Sequence, residues 1–211
     1  MKQIIATIAL AATFIGCTST PKTEEEICHI KGTVNERFEG KKIFLLPAVG
    51  PATMETVDSV VITNGKFEFQ SEPGEMKIIR IDYRYRTGVE DLLVVMEPGQ
   101  LEVMIDTISS CKGTPQNDTL QHWKERTMQH HRSLSPYRIQ KRNAEKVGNQ
   151  AIVEAMTQKI DSLEKVYKKY SRHLTDRLKE GPLYDFLNTR FPLSYKKKLP
   201  DGTITTVHVE Y

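Results

Sequence analysis

The side chains that could do covalent, acid–base or metal chemistry in this chain of 211 residues are three cysteines, six histidines and scattered carboxylates. Spacing decides what they can do. His130 and His131 are adjacent, so on a helix they point about 100° apart and make a poor chelating pair. Asp58 and Ser59 sit together in a β-type run with no histidine placed to complete a nucleophilic triad, which leaves them a structural role. The sequence contains no zinc-protease helix motif, nucleophile elbow, phosphate loop or dinucleotide fingerprint. It reads as a protein that is not an enzyme, and it assigns no catalytic residue, no cofactor and no metal.

The first cysteine is a different case. Lys2 opens a short positive region, Ile4 to Ile15 is an unbroken apolar run, and Gly16-Cys17 closes it. Twelve residues span about 18 Å as a helix, well short of a hydrocarbon core of ~30 Å, so the run reads as a signal peptide rather than a permanent span. Phe14-Ile15-Gly16-Cys17 resembles a bacterial lipobox, with phenylalanine where leucine is commoner. The expectation is that residues 1–16 are removed and Cys17 is lipidated, which anchors the mature chain to a membrane. Residues 17–26 form a polar tether, whose acidic run resembles the surface-export signal of Bacteroidota lipoproteins but begins further from the cysteine. The expected location is the cell envelope, as an outer membrane lipoprotein on either the periplasmic or the surface face. An oxidising compartment also makes Cys28 and Cys111 a candidate disulfide, with two separate buried thiols as the alternative.

Residues 27–113 show short β-type runs divided by turn signals: Ile27 to Val34, Lys41 to Pro47, Thr56 to Ile62, Lys66 to Gln70, Met76 to Tyr83, Asp91 to Glu97 and Leu101 to Asp106. Asn64-Gly65 and Pro98-Gly99 supply tight turns. Seven such runs predict an antiparallel β-sandwich or partly open barrel, and the whole chain an α+β protein. Residues 114–192 turn helical. Asn117 or Asp118 can cap a first helix carrying Leu120, Trp123 and Leu134, with a break or kink at Pro136. After Gly148 the stripe Ile152, Met156, Ile160, Leu163, Tyr167, Tyr170, Leu174 and Leu178 predicts a second helix, closed by Gly181-Pro182 and paired with the first as a hairpin. Trp123, Tyr167 and Tyr170 lie at core spacing. Residues 193–211 read as a terminal β-hairpin turning at Asp201-Gly202.

Charge divides unevenly. Cys17 to Asp118 holds 11 basic and 17 acidic residues, whereas Thr119 to Lys198 holds 18 and 8. A basic helical arm could bind lipopolysaccharide, glycan or a headgroup layer, although most of its charges interleave with acids as a solvated face does; the one tight cluster is Lys196 to Lys198. Nucleic acid is not an expected partner of an exported chain. Asp58-Ser59-Val60, Asp106-Thr107-Ile108, Asp118-Thr119-Leu120 and Asp161-Ser162-Leu163 each resemble the O-glycosylation site of exported Bacteroidota proteins, which makes Ser59, Thr107, Thr119 and Ser162 candidate acceptors. Ser59 is expected to be shielded by burial, and Thr107 and Thr119 to be better placed.

Four segments in order carry a wider likeness: Ile30-Lys31-Gly32-Thr33-Val34, then Val57-Asp58-Ser59 running into Asn64-Gly65-Lys66-Phe67-Glu68-Phe69, then Glu97-Pro98-Gly99, then Gly113-Thr114-Pro115-Gln116-Asn117-Asp118. Together they resemble the domain of unknown function found N-terminal to thioredoxin-like domains in Bacteroidota lipoproteins. In that family a helical linker follows and then a Trp-Cys-x-x-Cys redox site. Leu199-Pro200-Asp201-Gly202-Thr203-Ile204 resembles the lead-in to such a domain, and the sequence ends at Tyr211 without one. The leading expectation is a non-enzymatic binding or assembly module of the envelope. The alternative is an accessory to a separately encoded thioredoxin-like oxidoreductase.

Overall fold

A computed structural model describes residues 26–81 and 88–211. The expected signal peptide of residues 1–16, Cys17 and all of the expected tether but Glu26 lie outside the described residues. The β-rich part contains β1 (Cys28–Val34), β2 (Lys42–Pro47), β3 (Asp58–Val61), β4 (Lys66–Ser71), β5 (Met76–Ile81), β6 (Leu92–Val95), β7 (Gly99–Ile105) and β8 (Ser110–Lys112). These make two open four-stranded sheets, ordered β4-β1-β7-β8 and β3-β2-β5-β6. In the first sheet the strands alternate strictly: Cys28, Ile30 and Val34 point inward while Lys31 and Thr33 face solvent. That period of two is what a sheet with one wet face requires. Ile30, Phe67, Leu101 and Ile105 of this sheet share one hydrophobic core with Ile43, Leu45, Ile79 and Leu92 of the other.

The expected α+β architecture is present, with both sheets open, and one expectation is corrected. The pairing is not wholly antiparallel: β1 runs parallel to β7, with Cys28 opposite Gly99 and Val34 opposite Ile105. The long chain between these two strands permits the crossover that parallel pairing needs. β8, only three residues long, is too short to show as a periodic run. Asn64 and Gly65 do take φ of 54° and 65°, as a type I′ turn demands. Glu39 holds that turn, its carboxylate accepting the amides of Asn64 at 2.9 Å and Gly65 at 3.0 Å. Yet β3 and β4 do not form a plain hairpin. β3 pairs with β2 and β4 with β1, so the turn carries the chain from one sheet to the other.

Three helices follow, α1 (Pro115–Lys146), α2 (Gln150–Leu178) and α3 (Pro182–Arg190), then the hairpin β9 (Ser194–Lys198) and β10 (Ile204–His208). Helix α1 begins earlier than expected, with Thr114 as N-cap and Pro115 in its first turn, where a missing N–H costs nothing. It also runs unbroken through Pro136. Pro136 is exposed, so the carbonyl it leaves unpaired faces water. α1 and α2 pack as the expected hairpin. Gly181-Pro182 ends α2 but also opens α3, whose Leu183 and Leu187 are fully buried one turn apart. A second core unites Leu120, Trp123, Leu174, Leu183, Leu187 and Phe191 with Met76 and Val95 of the second sheet. No helix among the described residues is long and apolar enough to cross a membrane.

Candidate functional site

The densest buried polar arrangement lies where the sheets hand over to α1. β6 is an edge strand, so Val95 would present an unpaired N–H and C=O to whatever covers it. Asn117, in the first turn of α1 and with no exposed surface, covers both. Its Oδ1 accepts the Val95 N–H at 2.8 Å, and its Nδ2 donates to the Val95 carbonyl at 2.8 Å and to Thr114 Oγ1 at 2.8 Å. A carboxamide has the same donor and acceptor as a peptide unit, so one side chain stands in for a neighbouring strand. Two residues beyond Val95, the Glu97 carboxylate accepts the Gln116 N–H at 2.9 Å and places negative charge at the helix start. Burial pushes the Glu97 carboxyl up from the ordinary glutamate range, and the Gln116 amide opposes that shift. Asp118 accepts the Gly113 N–H at 2.9 Å, and Gln116 Oε1 accepts the Leu183 N–H at 3.2 Å, which ties α3 to the same point.

Further along α1, Lys124 pairs with Glu90 at 2.9 Å and donates to the Ser109 carbonyl. Ser109 is fully buried and donates its hydroxyl to the Glu90 carbonyl at 2.6 Å. Trp123 turns toward the helices instead: its Nε1 donates to Ser171 Oγ at 3.1 Å, and its ring meets Phe186 and Phe191 edge-on. Arg172, 5% exposed, donates to Asn188 Oδ1 at 2.7 Å and to the Phe191 carbonyl at 2.6 Å, which locks the end of α3 onto α2. These polar groups satisfy one another, and what the arrangement does is hold elements in register.

The sequence-derived candidates do not converge. Cys28 and Cys111 are separate buried thiols, the second of the two alternatives. They flank β7 on opposite sides, Cys28 opposite Gly99 and Cys111 opposite Val103. Four residues along a strand is about 13 Å, well beyond the ~7 Å limit for a disulfide's Cα atoms. Burial pushes both thiols up, Cys111 to about 12, so neither forms a thiolate at neutral pH. In the chain from Thr18 onward, neither should react with a disulfide reagent while folded, and both should react in denaturant; labelling followed by peptide mass spectrometry checks this.

Ser59 is exposed on the edge strand β3, contrary to the expected burial. Thr107 is exposed in the turn before β8, and Ser162 on the open face of α2. The Thr119 hydroxyl is donated back to the Pro115 carbonyl at 2.8 Å. His130 is buried and stacked on Tyr167 with ring centres 4.2 Å apart, while His131 is exposed. Asp58 accepts the Ser59 N–H at 2.7 Å, a local turn-like contact. Glu97, Ser109, Lys124 and Arg172 drew no functional reading from sequence, because each takes its role from a partner on another element.

The geometry defines a class of protein: two open sheets with a common core, closed at one end by the hydrogen-bonded start of a helical arm. Residues 28–120 of this chain are a DUF4369 domain, a domain of unknown function. That span stops three residues after Asn117, so it takes in β1 to β8 and the clasp that Asn117 makes on Val95, but not the arm. No curated protein and no solved structure matches the chain.

Proposed function

We propose that this protein is an exported lipoprotein of the cell envelope, held to the outer membrane through Cys17, and that it acts as a non-enzymatic binding or assembly module. The residues of the leader, Lys2 through Cys17, support the export and the anchor. The observation that carries the binding role is the helical arm. The clasp engages only the first turns of α1 and α3 only the last turns of α2, so between them the two helices pack chiefly on each other. The arm leaves Ile139, Val147, Ile152 and Val166 at 46%, 78%, 43% and 57% exposure, and Arg138 and Arg142 sit beside Ile139 on one face. Scattered apolar side chains framed by cations suit a protein or glycan surface.

The test is crosslinking of the native protein in envelopes, followed by mass spectrometry, beside a variant carrying Ile139→Glu and Ile152→Glu. Envelope assembly components, or a glycan such as lipopolysaccharide, should be recovered with the native arm and lost with the variant. Recovery of a thioredoxin-fold protein would replace this reading with the accessory role. Equal recovery by both proteins would remove the arm from the account.

A further inference from the structure

The β9–β10 hairpin is a two-stranded sheet that pairs with no other strand among the described residues. Its register puts Ser194, Lys196, Lys198, Ile204, Thr206 and His208 on one face, and all six are exposed. The opposite face turns Val207, half-buried, toward the body. Lys196, Lys197 and Lys198 have no ion pair among the described residues, and the one acid of the hairpin, Asp201, is engaged by Thr203 in the turn at 2.9 Å and 2.6 Å. Ile204, opposite Lys198 in the register, stands 68% exposed on the exposed face, while Tyr195 and Lys197 lie on the other. A two-stranded ribbon is marginal alone in water, and lysines on its strands oppose addition of a further strand. Free cations beside an exposed aliphatic side chain instead match a headgroup layer, where the lysine stems lie along apolar surface and the ammonium groups reach phosphate.

Placement agrees. The Ile27 carbonyl accepts the Gly99 N–H at 3.0 Å, and Glu97 and Gln116 link that point to the start of α3. The hairpin begins just past the end of α3, which is 9 residues or about 14 Å long. Thr18 to Glu26 can span up to ~30 Å, so an anchor at Cys17 and the hairpin can meet one leaflet together. The α1–α2 turn lies 32 residues from the helix start, about 48 Å along α1.

We propose that the exposed face of the β9–β10 hairpin rests on a phospholipid leaflet bearing anionic phosphodiester headgroups and so sets the orientation of the anchored protein. This builds on the anchoring proposed above, whose own failure would show separately as an unacylated Cys17 in the mass of the mature protein. The assay needs no acyl chain: the chain from Thr18 onward, which contains every described residue, is sedimented with vesicles of phosphatidylcholine alone or mixed with phosphatidylglycerol. Binding is expected to the mixed vesicles only and to weaken with added salt. One lysine near such a surface contributes roughly a fivefold gain, so K196E/K198E should lose about twenty-five-fold. Ile204→Ser should weaken binding by less, and K165E/K168E/K169E on α2 should leave it within a few-fold. Trp123 fluorescence verifies that each variant is folded. Equal binding to neutral vesicles, no loss in the hairpin variant, an equal loss in the α2 variant, or binding to lipopolysaccharide micelles alone would each overturn the proposal.

Discussion

Replacement of Asn117 by alanine is expected to cost about 3 kcal/mol of folding stability, measured by urea unfolding followed through the single tryptophan. The substitution removes three hydrogen bonds and strands the Val95 N–H and C=O at a buried sheet edge, where each orphaned group costs about 1–3 kcal/mol. Water cannot easily replace the lost amide, since Asn117 has no exposed surface. Asn117→Asp keeps the size but turns the donor into an acceptor facing the Val95 carbonyl, so it should be worse than alanine at neutral pH. Its carboxyl would have a folded-state pKa raised by that environment. The folded state then binds more protons than the unfolded one between the two pKa values, and stability should be regained as pH falls through the raised value. A variant whose stability matched the parent would refute the strand-mimic role.

A second large effect is expected at Gly32. It lies opposite Phe67 in the β1–β4 register, and a Cβ there would sit 1.9 Å from the ring's Cζ. The ring lies across the glycine inside the core, edge-on to Phe69 at 5.9 Å. In a strand, glycine to alanine ordinarily stabilises by about 0.5–1 kcal/mol. Here the ring must leave its place, so Gly32→Ala should destabilise by about 2–3 kcal/mol, and Gly32→Val should prevent stable folding. Phe67→Ala alone should cost about 3–5 kcal/mol through the cavity it opens. In that background Gly32→Ala should become nearly free. A double-mutant cycle with a coupling energy near zero would show that the ring and the glycine are independent.

Local pattern explains what the sequence made legible. Alternation in Cys28–Val34 and Lys66–Ser71, the Asn64-Gly65 turn and the helical stripe from Ile152 to Leu178 are rules that residues obey with their near neighbours. What stayed hidden depends on distant partners. The parallel pairing of β1 with β7 has no local signature, and β8 exists only because β7 offers it an edge. Asn117 was read as a helix cap because its type suits one. The structure spends that side chain on Val95, twenty-two residues away. The motifs that suggested the family, Glu97-Pro98-Gly99 and Gly113 to Asp118, could be seen as a set but not as two halves of one joint. Cys28 and Cys111 show the same limit: an oxidising compartment permits a disulfide but does not say on which side of β7 each cysteine falls.

Arg172 donates to the Phe191 carbonyl, and the Tyr211 hydroxyl donates to the Pro192 carbonyl at 2.8 Å. These neighbouring carbonyls are the hinge points at which the hairpin leaves the body, and Tyr211 grips one of them. The joint is thus held from two sides, by Arg172 of α2 and by Tyr211 beyond β10. The hairpin is thereby closed into a loop at its base, so loosening either grip would free both strands together rather than one alone.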